Sequence, residues 1–157
     1  MTSRIFMIAA LCTAITGCSD DATSPANNAS RLSSAKALWQ ATRPVRYSFI
    51  ASRACECVPN AGGPVRVEVN GTTIVSVTHT VTDVAIDPAL WFTIDGLFAL
   101  VDEELQTRPS RLEAEYDERN GHPTYVAYGE REVDSGAIVE VSQFTALTGG
   151  TGGYLRR

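Results

Sequence analysis

Apolar and polar residues follow two kinds of pattern along this chain. In two stretches the apolar residues are three or four positions apart, which predicts amphipathic helices. The first of these helices is predicted from about Ser33 to Thr42, because Pro44 disfavours the helical conformation of the residue before it. Its apolar positions are Leu32, Ala35, Leu38 and Trp39.

The second stretch, "TIDGLFALVDEELQT", is the stronger helix signal. Thr93 is predicted as its N-cap, and Pro109 is predicted to end it. Three neighbouring acids, Asp102-Glu103-Glu104, are predicted to lie on a solvated face, because catalytic carboxylates must converge across a cleft. The apolar stripe on the opposite face consists of Ile94, Leu97, Phe98, Val101 and Leu105.

Elsewhere the apolar and polar residues alternate, which predicts half-buried strands. Such strands begin near Val45 and near Leu112, and "PVRVEVNGTTIVSVTHT" predicts a hairpin. For this hairpin we predict a three-residue loop, residues 69–71, with Gly71 in the left-handed conformation. That loop would pair Val65 with Val75 and gather the valines on one face.

The order of these elements predicts the fold class. It reads α-β-β-β-α-β-β-β, and only the second helix lies in a connection that suits a parallel crossover. We therefore predict an α+β fold with a mostly antiparallel β-sheet and two helices. The predicted domain covers residues 32–147, followed by a glycine-rich tail at 148–157.

The first eighteen residues have the pattern of an export signal. Arg4 precedes an apolar run from Ile5 to Ile15, which at about 1.5 Å per residue covers only half of a ~30 Å membrane core. The "ITGC" that follows resembles the lipobox of bacterial lipoproteins. This resemblance implies a signal peptide over residues 1–17 and a lipid-modified Cys18 as the first residue of the mature chain. The alternative is an ordinary signal peptide with Cys18 near its cleavage site.

Charge and composition describe the rest of the mature chain. Residues 1–17 carry one arginine and no acid, so the formal charge changes from −5 to −6 when they are removed. An acidic chain argues against a nucleic-acid partner, which would need clustered Lys and Arg. Residues 18–31 are small and polar, which predicts a flexible tether with a reach of roughly 20 Å beyond the lipid.

Cys55 and Cys57 are the remaining candidate chemical groups. Outside the cytoplasm, and with Cys18 lipidated, we expect them to form a local disulfide with each other. In a flat strand their Cα atoms would lie about 6.4–6.8 Å apart, at the limit for such a bond, so a bulge or turn is required.

A redox role and a metal site remain alternatives for this pair. A reactive thiolate would be opposed by Glu56 and only partly favoured by Arg53. Two isolated histidines, His79 and His122, do not complete a ligand set, so no metal is predicted. The chain also lacks a G-x-S-x-G motif, so no catalytic residue is predicted. Gly62-Gly63 and the C-terminal glycines do not open a predicted helix, so no phosphate-binding loop and no cofactor is predicted.

Five segments, "YSFxxxRxCxC", "GPVRVEVNG", "VSVT", "TIDGLFALVDEEL" and "EYDxxxGxPTYVAY", resemble the bacterial domain of unknown function 6174 family. The resemblance runs from about Leu38 to Leu147. Members of this family often look like secreted proteins or lipoproteins. The resemblance implies no activity, substrate or catalytic residue.

Together these observations predict a non-enzymatic binding or scaffold domain in the bacterial cell envelope, outside the cytoplasm. It would contact the membrane through lipid on Cys18 and bind an unknown envelope protein or small ligand. One alternative is a thiol-disulfide redox protein that uses Cys55 and Cys57, and another is an inhibitor of a secreted enzyme.

Overall fold

The computed structural model describes residues 25–54, 63–129 and 136–147. They form two helices and six strands in the predicted order, so the predicted α+β class is confirmed. The elements are α1 (Pro25–Thr42), β1 (Arg46–Ala54), β2 (Val65–Asn70), β3 (Thr73–His79), α2 (Ile94–Thr107), β4 (Glu113–Tyr116), β5 (Pro123–Tyr128) and β6 (Ala137–Ala146). Short 3-10 turns at Pro88–Leu90 and Pro109–Arg111 flank α2.

The six strands form one sheet in the order β3-β2-β1-β6-β5-β4, and every neighbouring pair is antiparallel. The chain moves from β3 at one edge to β4 at the other through α2. Edge strand β4 is only four residues long and exposes Glu113 and Glu115. Short, charged edges of this kind resist pairing with other chains.

We call the end of the sheet at which β1 ends and β4 begins the upper end, and the opposite end the lower end. Helix α1 runs from the upper to the lower end. Near its start the Nδ2 of Asn28 donates to the carbonyl of Leu112, 3.3 Å away, just before β4. At its last residue the Oγ1 of Thr42 donates to the carbonyl of Asn120, also at 3.3 Å, in the turn after β4.

The core joins both helices to one face of the sheet. At its centre Trp39 of α1 is fully buried and meets the rings of Tyr47 and Phe144 edge-on, with ring centroids 5.5 and 5.7 Å away. The Nε1 of Trp39 donates to the Oδ1 of Asp95 at 3.0 Å, so the buried indole has its hydrogen-bond partner. Such aromatic contacts stabilise a fold by more than their buried area alone.

The start of the first helix differs from the prediction. Helix α1 begins at Pro25 and not near Ser33, so residues 25–31, predicted as part of the tether, are helical. Proline suits the first turn of a helix, where its missing N–H has no intrahelical partner to lose. Buried Asn28 then ties this segment to Leu112, a contact 84 residues away in sequence that local polarity could not reveal.

The predicted loop of the β2–β3 hairpin is wrong, although Gly71 has the expected positive φ of 62°. The loop has two residues, 71 and 72, since Asn70 lies opposite Thr73. The register then shifts within the strand, which leaves Val75 as a bulge. This bulge, and not a longer loop, brings Val77 to the same buried face as the valines of β2.

The run of three acids is not uniformly solvated. Glu103 is exposed and Asp102 pairs with Lys36, but the side chain of Glu104 is only 3% exposed. Arg108 holds its carboxylate with two hydrogen bonds, of 2.6 and 3.1 Å. A charge can be buried here because its partner lies one helical turn away.

Candidate binding site at the sheet edge

The predicted site residues are not all part of the described structure. Cys18, Cys55 and Cys57 lie outside the described residues, as do the signal peptide and the tail at 148–157. The two histidines are far apart: His79 ends β3 at the upper end, and His122 lies in the turn at the lower end. Within the described ranges no group of three or more His, Cys, Asp or Glu side chains is placed to hold a metal ion.

Arg53, next to last in β1, links the sheet to the segment before α2. The Cζ of its guanidinium lies 5.1 Å from the centroid of the Trp91 ring and 5.2 Å from that of Phe92. Its Nη2 donates to the carbonyl of Leu90 at 3.0 Å. Cation–π attraction and this hydrogen bond together hold residues 90–92 against β1.

Arg53 and the aromatic residues Trp91 and Phe92 form a small cluster. Two of its N–H donors are buried and have no partner among the described residues: the Nε of Arg53 and the Nε1 of Trp91. Each such group costs about 1–3 kcal/mol, so the cluster is an unusual feature. Trp91 is 6% exposed, and Gly63 permits this packing. A Cβ on Gly63 would lie 2.7 Å from the carbonyl oxygen of Ala51 and 3.1 Å from Trp91.

Trp91 and Phe92 also line an open cleft of about 450 Å³. It lies between the start of β3 and the Pro88–Leu90 turn, with the first residues of α2 at its base. Its walls are formed by Thr72, Thr73, Ile74, Pro88, Ala89, Trp91, Phe92, Thr93 and Gly96. We call this the edge cleft.

The edge cleft adjoins the half of β3 that has no neighbouring strand on its outer side. Along the upper half the chain folds back: the N–H of Ile86 donates to the carbonyl of Val77, and that of His79 donates to the carbonyl of Val84, both at 2.9 Å. In the described sheet, only Ala85 bridges to the outer side of β3, so residues 73–76 form an open edge.

Exposed apolar side chains concentrate near this edge. Among the described residues five large apolar side chains are exposed, and four of them lie between positions 75 and 90. Val75 (52% exposed) and Leu90 (37%) lie beside the edge cleft. Sequence reasoning considered Arg53 only as a neighbour of the cysteines and missed Trp91. The paired aromatics in "PALWFT" were the available signal.

The perturbed titratable groups have structural explanations. Burial lowers the pKa of His122, although Asp117 partly opposes this shift. The His122 ring stacks on Phe144 with centroids 4.7 Å apart, and its Nδ1 is hydrogen-bonded to Asn120 Oδ1. Burial also raises the pKa of Tyr47 to about 12. These groups hold the lower end of the fold together.

The buried histidine predicts a loss of stability in acid. Because folding lowers its pKa below 6.5, His122 contributes full stability above that pH and loses it as the pH falls from 6.5 towards the folded value. The His122→Gln variant should therefore show a shallower decline in its free energy of unfolding between pH 7 and 5, measured by urea titration. His79→Gln is the control for removal of a histidine. An unchanged slope in His122→Gln would contradict this assignment.

These features define an α+β domain with a helix-covered antiparallel sheet and a cleft beside one open edge. The family of unknown function DUF6174 matches residues 31–146, most of the chain, and the protein belongs to this family. The predicted resemblance is thereby confirmed. No curated protein and no solved structure matches the chain. No helix in the described ranges is long and apolar enough to cross a membrane.

Proposed function

We propose that the protein is a lipid-anchored bacterial lipoprotein outside the cytoplasm, and that its domain binds another envelope protein at the edge cleft without catalysing a reaction. The observation that carries the binding role is the open half of β3 with Val75 and Leu90 exposed beside it. Open edges offer unpaired backbone groups, and native proteins usually cover or charge them. Here residues 73–76 carry no charged side chain, and no described strand pairs with their outer side.

The partner that suits this surface is an extended, basic protein segment. An added strand would satisfy the outer backbone groups of residues 73–76, and its apolar side chains would enter the cleft against Ile74 and Phe92. Exposed Asp87, whose carboxylate accepts from the N–H of Ala89, adds negative charge at the cleft. With a mature formal charge of −6 as well, the domain favours a basic partner.

Site-specific photo-crosslinking tests the binding role. A photoreactive residue at Val75 should give one discrete adduct in intact cells, whereas the same residue at Glu115 on the opposite edge should give none. A synthetic peptide copied from the adducted partner must then bind the purified domain and slow amide exchange at residues 73–76. Equal adducts at both positions, or binding without protection there, would contradict the edge cleft as the site.

The proposed anchor is supported by the lipobox-like "ITGC" directly after an apolar run of signal-peptide length. Its test is the intact mass of protein extracted from membranes. The mass should equal that of residues 18–157 plus diacylglyceryl and acyl groups. The Cys18→Ser variant should lack the mass of these lipid groups. An unmodified mature chain would reject the anchor.

The same sample decides between a structural disulfide and the redox alternative. Two thiol alkylations that appear only after strong reduction would support a stable Cys55–Cys57 bond. Alkylation without reduction, or rapid reduction by a mild dithiol, would favour thiol-disulfide chemistry at this pair. In that case the thiol-disulfide exchange activity should be lost in the Cys57→Ser variant.

A further inference from the structure

A second cavity lies near the other edge of the sheet, between α1 and the turn that follows β4. Its volume is about 390 Å³, and all of its lining residues belong to the described ranges. Helix α1 supplies Arg31, Ser34 and Leu38 to one wall, and Tyr116 and Glu118 lie on the other. We call it the helix–turn cavity. It shares no lining residue with the edge cleft, so a ligand bound in it would be independent of the proposed protein partner.

The two walls of the helix–turn cavity are held at a fixed separation. Gly121 lets the turn touch α1, since a Cβ at this position would overlap the carbonyl oxygen of Ala35. Within the turn the N–H of Gly121 donates to the carbonyl of Asp117, and the N–H of Asp117 donates to that of His122, both at 2.9 Å. On the other side α1 is anchored by fully buried Trp39. The cavity is therefore preformed, and a ligand would not have to order its walls.

The two walls carry opposite charges. Arg31 is exposed on α1, whereas Asp117 and Glu118 belong to the turn. Among the described residues, neither Arg31 nor Glu118 makes a hydrogen bond or an ion pair. The hydroxyl groups of Ser30 and Ser34, which line the cavity beside Arg31, also make no hydrogen bond to any described residue. A donor wall and an acceptor wall therefore remain available to a third molecule between them.

Neighbouring titratable groups support this distribution of charge. Burial raises the pKa of Tyr116 to about 12, and the positive charge of Arg31 partly opposes this rise, so the guanidinium lies within electrostatic range of the phenol. Burial alone would also raise the pKa of Asp117, but hydrogen bonds from the N–H groups of Asn120 and Arg119 outweigh this effect and lower it. At neutral pH the phenol is therefore uncharged and the Asp117 carboxylate is ionised.

The surface between the charged groups is apolar. Buried Ala35 and half-buried Leu38 line the cavity from α1. The ring of Tyr116, which stacks on Phe98 with centroids 6.1 Å apart, lines it from the end of β4. A few polar groups around an apolar surface are typical of small-molecule sites, and the cavity volume is within their usual range.

We propose that the helix–turn cavity binds a small zwitterion of the free amino acid or dipeptide class. The ligand carboxylate would accept from the guanidinium of Arg31 and the hydroxyl of Ser34, and its ammonium group would donate to the carboxylate of Glu118. Its hydrocarbon part would lie on Leu38 and Tyr116. The acidic wall repels a simple anion and Arg31 repels a simple cation, so only a molecule with both charges matches both walls.

Amide-resolved NMR titration of the full-length protein in detergent micelles tests this site. The probes are L-leucine and L-leucyl-L-leucine, which differ in the separation of their charges. N-acetyl-L-leucine lacks the positive charge and L-leucinamide lacks the negative one, so each analogue removes the interaction with one wall. The cavity variants are Arg31→Met and Glu118→Gln. Arg66→Met and Glu103→Gln are the matched controls, because both residues are exposed and lie outside the cavity.

At least one zwitterion should bind and shift the amide signals of residues 30–38 and 116–121. The single-charge analogues should bind about tenfold more weakly, and each cavity variant should weaken binding of the zwitterion by a similar factor. The two control variants should bind like the parent. Absence of shifts with both zwitterions up to about 10 mM, equal affinity for the analogues, or unchanged affinity in Arg31→Met and Glu118→Gln would overturn the proposal.

Discussion

Replacement of Gly121 by alanine is expected to lower the free energy of unfolding by about 3–4 kcal/mol, measured by urea denaturation. Gly121 has a φ of +79°, a conformation that costs a residue with a Cβ roughly 1–2 kcal/mol. The added Cβ would also overlap the carbonyl oxygen of Ala35 and lie 3.0 Å from the backbone nitrogen of Trp39. Overpacking of this kind typically adds about 1–3 kcal/mol.

The loss should be large because neither side of the contact can move easily. Gly121 belongs to a turn in which Asp117 accepts from three backbone N–H groups, those of Arg119, Asn120 and Gly121 itself. On the other side, α1 is held by fully buried Trp39. The methyl group must therefore displace the helix from the core or break the turn.

Gly71→Ala is the matched control for backbone strain alone. Gly71 also has a positive φ, of 62°, but a Cβ there would have no heavy atom within 4 Å. Its replacement should cost only about 1 kcal/mol. If the two variants lose equal stability, contact with α1 is not the cause of the loss at Gly121.

The spacing of apolar residues was sufficient to predict those helices and strands whose buried side chains recur at a regular interval. The stripe of α2, its Thr93 cap and the order of helices and strands along the chain are present as predicted, with Thr93 Oγ1 accepting from the N–H of Gly96 at 3.0 Å. These features depend on neighbours within one or two turns. Sequence periodicity records such neighbours directly.

The features that the sequence did not reveal depend on distant partners. The first two turns of α1 are polar, and their place in the fold relies on Asn28 reaching Leu112. The bulge at Val75 and the edge cleft depend on how the sheet and the segment before α2 meet. No periodic pattern encodes a contact between Arg53 and Trp91, 38 positions apart in sequence.

Glu104 is the clearest case of a charged residue whose burial the sequence pattern did not predict. Removal of its ion-pair partner is the second change for which we expect a large loss of stability. Arg108→Met should lower the free energy of unfolding by about 3 kcal/mol, because it leaves the buried Glu104 carboxylate without its partner. The double variant Glu104→Met/Arg108→Met should recover most of that loss, since a buried ion pair replaced by apolar side chains of similar volume is often nearly neutral.

Lys36→Met is the matched control, because it removes a cation from an ion pair that is exposed. Lys36 and Asp102 are 40% and 39% exposed, whereas Glu104 is 3% exposed and its partner Arg108 is 50% exposed. An exposed pair contributes only about 0–1 kcal/mol, so Lys36→Met should change stability little. A loss in Arg108→Met no larger than that in Lys36→Met, or a double variant as unstable as Arg108→Met alone, would mean that burial of Glu104 does not govern the energy of this pair.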